Sequence, residues 1–216
     1  MSTVHEEFPA ITPTRQSGEE QFCEGSEKLP FNLQDFWAWS ASHLMDNTMR
    51  GILAEYIVAR GLGIVEGLRI EWEPFDLVTP DGIKVEVKSS AYLQSWGQKK
   101  LTSITFAVPP TFGWDGTSGA YGTVRQRQAD VYVFALLTHR DKATVNPLNL
   151  AQWAFYVVPT AVLDRELAER KTVSLLQLQR LATSATTFSG LLVGVEAAAV
   201  MNRQLRAVIE SSVPTT

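Results

Sequence analysis

Glu73-Pro74-Phe75-Asp76-Leu77-Val78-Thr79-Pro80-Asp81-Gly82-Ile83-Lys84-Val85-Glu86-Val87-Lys88 is the stretch whose reading decides the fold. Thr79-Pro80-Asp81-Gly82 carries turn chemistry: proline presets the first central residue, aspartate suits the next, and glycine tolerates positive φ. A three-residue loop closed by a G1 bulge pairs Thr79 with Ile83. Stepping outward, Val78 meets Lys84 and Asp76 meets Glu86, with Lys88 on the same face two residues on. Ile83, Val85 and Val87 then point into a core. A two-residue loop would instead pair Asp76 with Val85, so the register is an expectation to be tested.

Two opposed carboxylates repel. A fold keeps them when one is protonated or a cation lies between them. Lys88 supplies one positive charge and a divalent metal would supply more. Oxygen ligands without His or Cys favour magnesium, manganese or calcium. The plainer reading of the same residues is a solvated hairpin face.

The remaining sequence frames this hairpin. At 216 residues, 45% hydrophobic and 19% charged, the chain has an ordinary globular composition. Residues 1–29 are rich in Glu, Pro, Ser, Thr and Gly and read as a flexible tail. Residues 30–211 read as one domain and 212–216 as a C-terminal tail. The single cysteine, Cys23, cannot form an internal disulfide and fits a reducing compartment. The acidic N-terminus lacks the basic region of a signal peptide, and no apolar run reaches the ~18 residues of a membrane span. The expectation is a cytoplasmic protein with no membrane partner. A net charge of −4 leaves room only for a local basic groove.

Asn32 and Asp35 mark the start of a short helix, and Asp46-Asn47-Thr48 caps a second over Met49 to Arg60. Strand-like runs follow at Leu68–Trp72, Phe75–Val78, Ile83–Ser89 and Leu101–Val108. A Gly-rich loop spans 109–124. Val131–Leu137 is apolar on both faces and reads as a central strand, and Ala154–Pro159 reads as another, ended by Pro159. Helices are expected over Ala161–Arg170, Ser174–Ala182 and Gly190–Ser211. The order implies an α/β (α+β) fold with a mixed central β-sheet flanked by helices. Trp37, Trp39, Trp153 and Phe155 are expected in the core.

Glu55 lies in the second helix among Ile52, Ala59 and Leu62. A carboxylate on that apolar stripe needs a partner. Either Arg60 or Arg69 supplies it, or Glu55 joins Asp76, Glu86 and Lys88. The helix with Glu55, the strand with Asp76 and the strand with Glu86-Val87-Lys88 together resemble the PD-(D/E)XK nuclease superfamily, over about residues 49–137. Phe75 separates Pro74 from Asp76, so the literal Pro-Asp pair is absent.

The resemblance implies a restriction-endonuclease-like core and Mg-dependent hydrolysis of DNA phosphodiesters, with manganese as a substitute. Asp76, Glu86 and the Val87 carbonyl would hold the metal. Lys88 would position water or stabilise charge. Glu55 would bind a second metal or orient Lys88 or a water. Gln94 would hydrogen-bond the nucleophile or a phosphate, or else be an exposed polar residue. Lys99, Lys100, Arg125 and Arg127 are the candidate DNA contacts, or else solvated strand ends. Trp114, Tyr121 and the glycines around them would form a loop that orders on DNA. A restriction or phage-defence enzyme would suit a homodimer, because two cuts on a duplex suit a two-fold axis. The competing class is a non-catalytic DNA-binding or assembly protein that keeps the fold.

His5, His43 and His139 have no metal-ligand spacing. There is no phosphate loop and no Gly-x-Ser-x-Gly elbow. Zinc sites, ATP hydrolysis and serine hydrolysis are therefore not expected.

Overall fold

The computed structural model describes residues 11–64, 66–69, 73–115, 120–182 and 184–211. Residues 1–10 and 212–216 of the expected tails, 70–72 of the expected strand and 116–119 of the Gly-rich loop lie outside the described residues. The elements in chain order are β1 (Gln21–Glu24), β2 (Glu27–Asn32), α1 (Leu33–Ala41), α2 (Asn47–Gly61), β3 (Leu77–Val78), β4 (Lys84–Ala91), β5 (Thr105–Ala107), β6 (Thr111–Asp115), β7 (Ala120–Gln126), β8 (Val131–Leu137), β9 (Trp153–Pro159), α3 (Thr160–Leu167), β10 (Thr172–Ser174), α4 (Leu175–Leu181), β11 (Ala185–Thr186) and α5 (Leu191–Ser211). Among the described residues no helix is long and apolar enough to cross a membrane.

The chain divides into two compact units. The smaller holds residues up to Ser42 together with Glu66–Leu68. It contains the antiparallel β1–β2 hairpin and α1. Residues 21–29, expected as tail, therefore form β1, its turn at Gly25 (φ +63°) and the start of β2. The Asn32 side chain accepts from Asp35 N–H and the Asp35 carboxylate accepts from Asn32 N–H, closing a capping box that starts α1 as the sequence indicated. Trp37 and Trp39 are exposed rather than core, because α1 buries no residue.

The larger unit is built on a five-stranded mixed sheet of order β11-β9-β8-β4-β3. β4 and β8 are parallel, and the other neighbours are antiparallel. All residues of β8 are buried, as its uninterrupted apolar run requires. One face packs Val85, Val87, Val133 and Phe155 against Ile57 and Val58 of α2 and Val195 and Ala199 of α5. The other packs Tyr132, Phe134, Leu136 and Val158 against Leu163 of α3, Leu178 of α4 and Phe106 of β5. α2 starts at Asp46, whose carboxylate accepts from Thr48 and Met49 N–H. β5 pairs with β10 in a separate small sheet. Much of the expected Gly-rich loop is the β6–β7 hairpin, in which Trp114 meets Tyr121 edge-on at 4.9 Å.

The β3–β4 register follows the three-residue loop: Val78 pairs with Lys84 and Leu77 with Val85. Gly82 N–H donates to Thr79 O at 2.8 Å, Ile83 N–H donates to Thr79 Oγ1 at 3.1 Å, and Gly82 holds φ +80°. A Cβ at Gly82 would meet nothing within 4 Å, so the backbone conformation alone requires glycine. Gly82→Ala is expected to destabilise the protein by about 1 kcal/mol in urea unfolding. An unchanged midpoint would show that the turn does not hold the register.

Candidate active site

Glu86, Lys88 and Ser90 alternate along β4 with the buried Val85, Val87 and Ala91, so they look toward the α3–α4 side of the sheet. The Glu86 carboxylate is ion-paired with the Lys88 ammonium, and both side chains are largely buried. Glu86 lies in register with Tyr132 of β8, a residue only 4% exposed. That aromatic neighbour lowers the local polarity beneath the pair.

Asp76 departs from plain cross-strand pairing. Its N–H donates to Val85 O at 3.2 Å, the carbonyl of the residue opposite Leu77. Its Oδ2 accepts from Val87 N–H at 2.7 Å. β3 has ended here, and the carboxylate takes the place of the next ladder acceptor. Asp76 is thereby held at the edge of β4 beside Glu86 and Lys88. A strand residue sends its N–H and C=O to the same edge, so the Val87 carbonyl leaves toward Asp76.

The electrostatics follow from burial. Burial pushes the Glu86 carboxyl above its ordinary value; Lys88 offsets part of this and Asp76 adds to it. Burial would lower the Lys88 ammonium, but Glu86, Asp76 and Glu55 together outweigh it, and the net direction is upward. Lys88 is therefore a firmly protonated cation at neutral pH. Tyr132 is pushed up by burial and by Glu86, and stays a neutral phenol.

Glu55 takes the alternative that the sequence left open. Arg69 clasps its carboxylate, with Nε to Oε2 at 2.6 Å and Nη2 to Oε1 at 3.4 Å. Burial raises the Glu55 carboxyl, Arg69 counters this, and Asp76 and Lys88 also act on it. Glu55 thus belongs to the same electrostatic cluster, but an ion pair occupies it.

Gln94 is buried, not an exposed polar residue. Its Nε2 donates to Ala91 O and Thr102 Oγ1, each at 3.2 Å, and its Oε1 has no partner among the described residues. It braces the loop after β4. Lys99 and Lys100 are exposed on that loop. Arg125 is exposed on β7 and donates Nε to Pro110 O at 2.9 Å. Arg127 is buried, so it lies off the surface where a DNA contact or a solvated strand end was expected. It is 3% exposed, pairs with Asp164 at 2.7 Å and donates to the carbonyls of Val108, Ala168 and Arg170.

The sequence reading missed Tyr132 and Arg50. Arg50 is buried in α2, where Nη2 donates to Asn47 Oδ1 at 2.8 Å and Nε donates to Ser89 Oγ at 3.3 Å. A cation in the first turn of an otherwise apolar helix was the available signal. A cavity of about 340 Å³ lined by Leu53, Tyr56, Ile57, Arg60, Pro147, Leu148, Leu150 and Phe188 is apolar, and no carboxylate lines it.

Among the described residues no group of three or more His, Cys, Asp or Glu side chains converges as a metal cluster. A cation at the hairpin would rest on Asp76, Glu86 and the Val87 carbonyl. The contacts above use Oδ2 of Asp76 and one oxygen of Glu86, leaving the second oxygen of each. Hard oxygen donors completed by water fit magnesium, which keeps several waters.

Residues 35–177 match the bacteriophage T4 endonuclease IV family model, and this span takes in every candidate residue above. The match covers more than half the chain and defines an endonuclease. The chain belongs to the bacteriophage T4 endonuclease IV family. No curated protein matches it.

Two outcomes test these placements. Arg127→Ala is expected to destabilise by about 3 kcal/mol, since it orphans buried carbonyls and removes a buried cation, while the folded fraction binds DNA as wild type does. A stable variant with weakened DNA binding would reverse the assignment. Glu86 has a raised folded pKa, so its protonation stabilises at low pH and that stability is lost as pH rises through the raised value. Glu86→Gln also strips Lys88 of its ion pair at every pH, so the trend is the test: the gap in melting temperature, variant minus wild type, should grow as pH rises from the ordinary carboxylate range and shrink on acidification. A gap that widens on acidification would reverse the sign of the shift.

Proposed function

We propose that the chain is a divalent-cation-dependent DNA endonuclease of the PD-(D/E)XK kind, with Asp76, Glu86 and the Val87 carbonyl as cation ligands and Lys88 as the adjacent positive charge. The observation that carries this reading is the convergence of Asp76, Glu86 and Lys88 at one edge of β4, in a member of an endonuclease family. Magnesium bound there would polarise a phosphodiester oxygen and lower the pKa of a bound water.

The chain's own residues do the remainder. Asp76 is oriented by Val87 N–H, so its free oxygen has one direction to face. Lys88 stays protonated, which suits it to donate to a phosphate oxygen as charge develops rather than to accept a proton. Glu86 holds that ammonium in place. The Arg69 clasp on Glu55 makes Glu55 an electrostatic neighbour in this reading, not a second metal ligand. A restriction or phage-defence role, a dimer with a two-fold axis, and manganese as a substitute ion follow from the resemblance and belong to the same proposal.

Incubation with supercoiled plasmid and with single-stranded DNA, in magnesium and in manganese, tests it directly. Wild type is expected to cut only with divalent metal, and Lys88→Ala to cut at least about 100-fold more slowly. Equal cleavage by both proteins would remove Lys88 from the site. Cleavage in chelator would remove the metal.

A further inference from the structure

The parallel strands β4 and β8 end side by side, with Ala91 opposite Leu137. The segments that leave them carry Lys99 and Lys100 on one side and Arg140 and Lys142 on the other, all exposed. The two segments are joined. The Arg140 guanidinium lies 4.4 Å from the Tyr92 ring centroid, and Lys142 Nζ donates to Trp96 O. Gln98 Nε2 ties Tyr92 O at 3.2 Å, Lys100 O at 3.4 Å and Thr102 Oγ1 at 3.0 Å, while its Oε1 accepts from Gln94 N–H at 2.6 Å.

None of the four cations is paired with a carboxylate among the described residues. Asp141 stands between two of them, but its carboxylate is turned back onto Ala143 N–H and Thr144 Oγ1. The balance of the surface is positive in a chain whose net charge is −4.

Position gives this surface its meaning. Tyr92 continues the alternation Glu86, Lys88, Ser90 and packs on the same side of the sheet. It lies four positions past Lys88, about 13 Å along an extended strand. That is roughly four base-pair steps along the axis of a DNA duplex at ~3.4 Å each. The hydrogen-bonded amides hold the loop before any ligand arrives, so little ordering cost is left for binding.

We propose that Arg140 and Lys142, with Lys99 and Lys100 on the facing loop, form a phosphate-contact track that holds the DNA backbone a few nucleotides from the Asp76–Glu86–Lys88 site. The track rests on the DNA-endonuclease reading above and adds Arg140 and Lys142 to it.

Binding of a labelled mixed-sequence oligonucleotide, single-stranded and duplex, is measured by anisotropy in chelator across a salt series. Each lost phosphate contact removes about 0.7–0.9 from the slope of log Kobs against log salt. The double variant Arg140→Gln/Lys142→Gln is expected to bind more weakly with a slope shallower by about 1.4–1.8, and Lys142→Arg to keep the wild-type slope. Arg180→Gln/Arg203→Gln, which lowers net charge equally elsewhere, is expected to leave the slope unchanged.

An unchanged slope in the double variant, an equal loss in the control pair, or no binding by wild type at low salt would each overturn the track. Should the double variant fail to melt like wild type, Lys99→Gln/Lys100→Gln reads the same surface. Magnesium-dependent cleavage by wild type is scored separately. A slope change without cleavage keeps the track and sinks the nuclease reading; cleavage without a slope change does the reverse.

Discussion

The hydrogen bond from Val87 N–H to Asp76 Oδ2 is the contact on which the candidate site depends. Among the described residues β3 pairs with β4 through Leu77 and Val78, and past Val85 this edge of β4 carries no further strand. A backbone donor at such an edge needs an acceptor. The Asp76 carboxylate provides it, and in doing so is fixed beside Glu86 and Lys88. Everything upstream serves this placement. Gly82 sets the turn, the turn sets the register, and Asp130 locks the start of β4 by accepting from Lys84 N–H at 3.0 Å and donating to Lys84 O at 2.8 Å.

The second constraint is the cost of gathering charge over an apolar layer. Glu86 and Lys88 sit above Tyr132 and Phe134, in a face otherwise made of core residues. Burial pushes both Glu86 and Glu55 toward their neutral forms. A fold optimised for stability alone would not place three carboxylates within electrostatic reach of one another. Arg69 and Lys88 offset part of the repulsion, and a divalent cation would offset more. Strain of this electrostatic kind is the pattern expected of a working site.

How far the sequence could be read depended on whether local chemistry or distant contacts set each feature. β8 was legible because a strand covered on both faces must be apolar throughout. The turn at Gly82 and the caps at Asn32 and Asp46 were legible because each is decided within a few residues. β10 and β11 were not, since such short strands exist only through their partners β5 and β9. The glycines of 113–122 suggested a loop, yet cross-strand contacts such as Trp114–Tyr121 make a hairpin there. Arg127 looked like part of a basic patch because Asp164, its partner, lies far along the chain. Glu55 had two stated partners, and only the fold could choose Arg69. The departure of Asp76 from the ladder was likewise invisible, because alternation predicts faces and not which acceptor a backbone donor finds.

The central claim is that Asp76, Glu86 and the Val87 carbonyl together make one divalent-cation site. The most direct measurement is anomalous scattering from crystals soaked in manganese. The account predicts a single strong peak within coordination distance of Asp76 and Glu86 oxygens and of Val87 O, lost in Asp76→Ala. Saturating manganese with no peak at this edge of β4, or a peak held by other residues that survives Asp76→Ala, would contradict it.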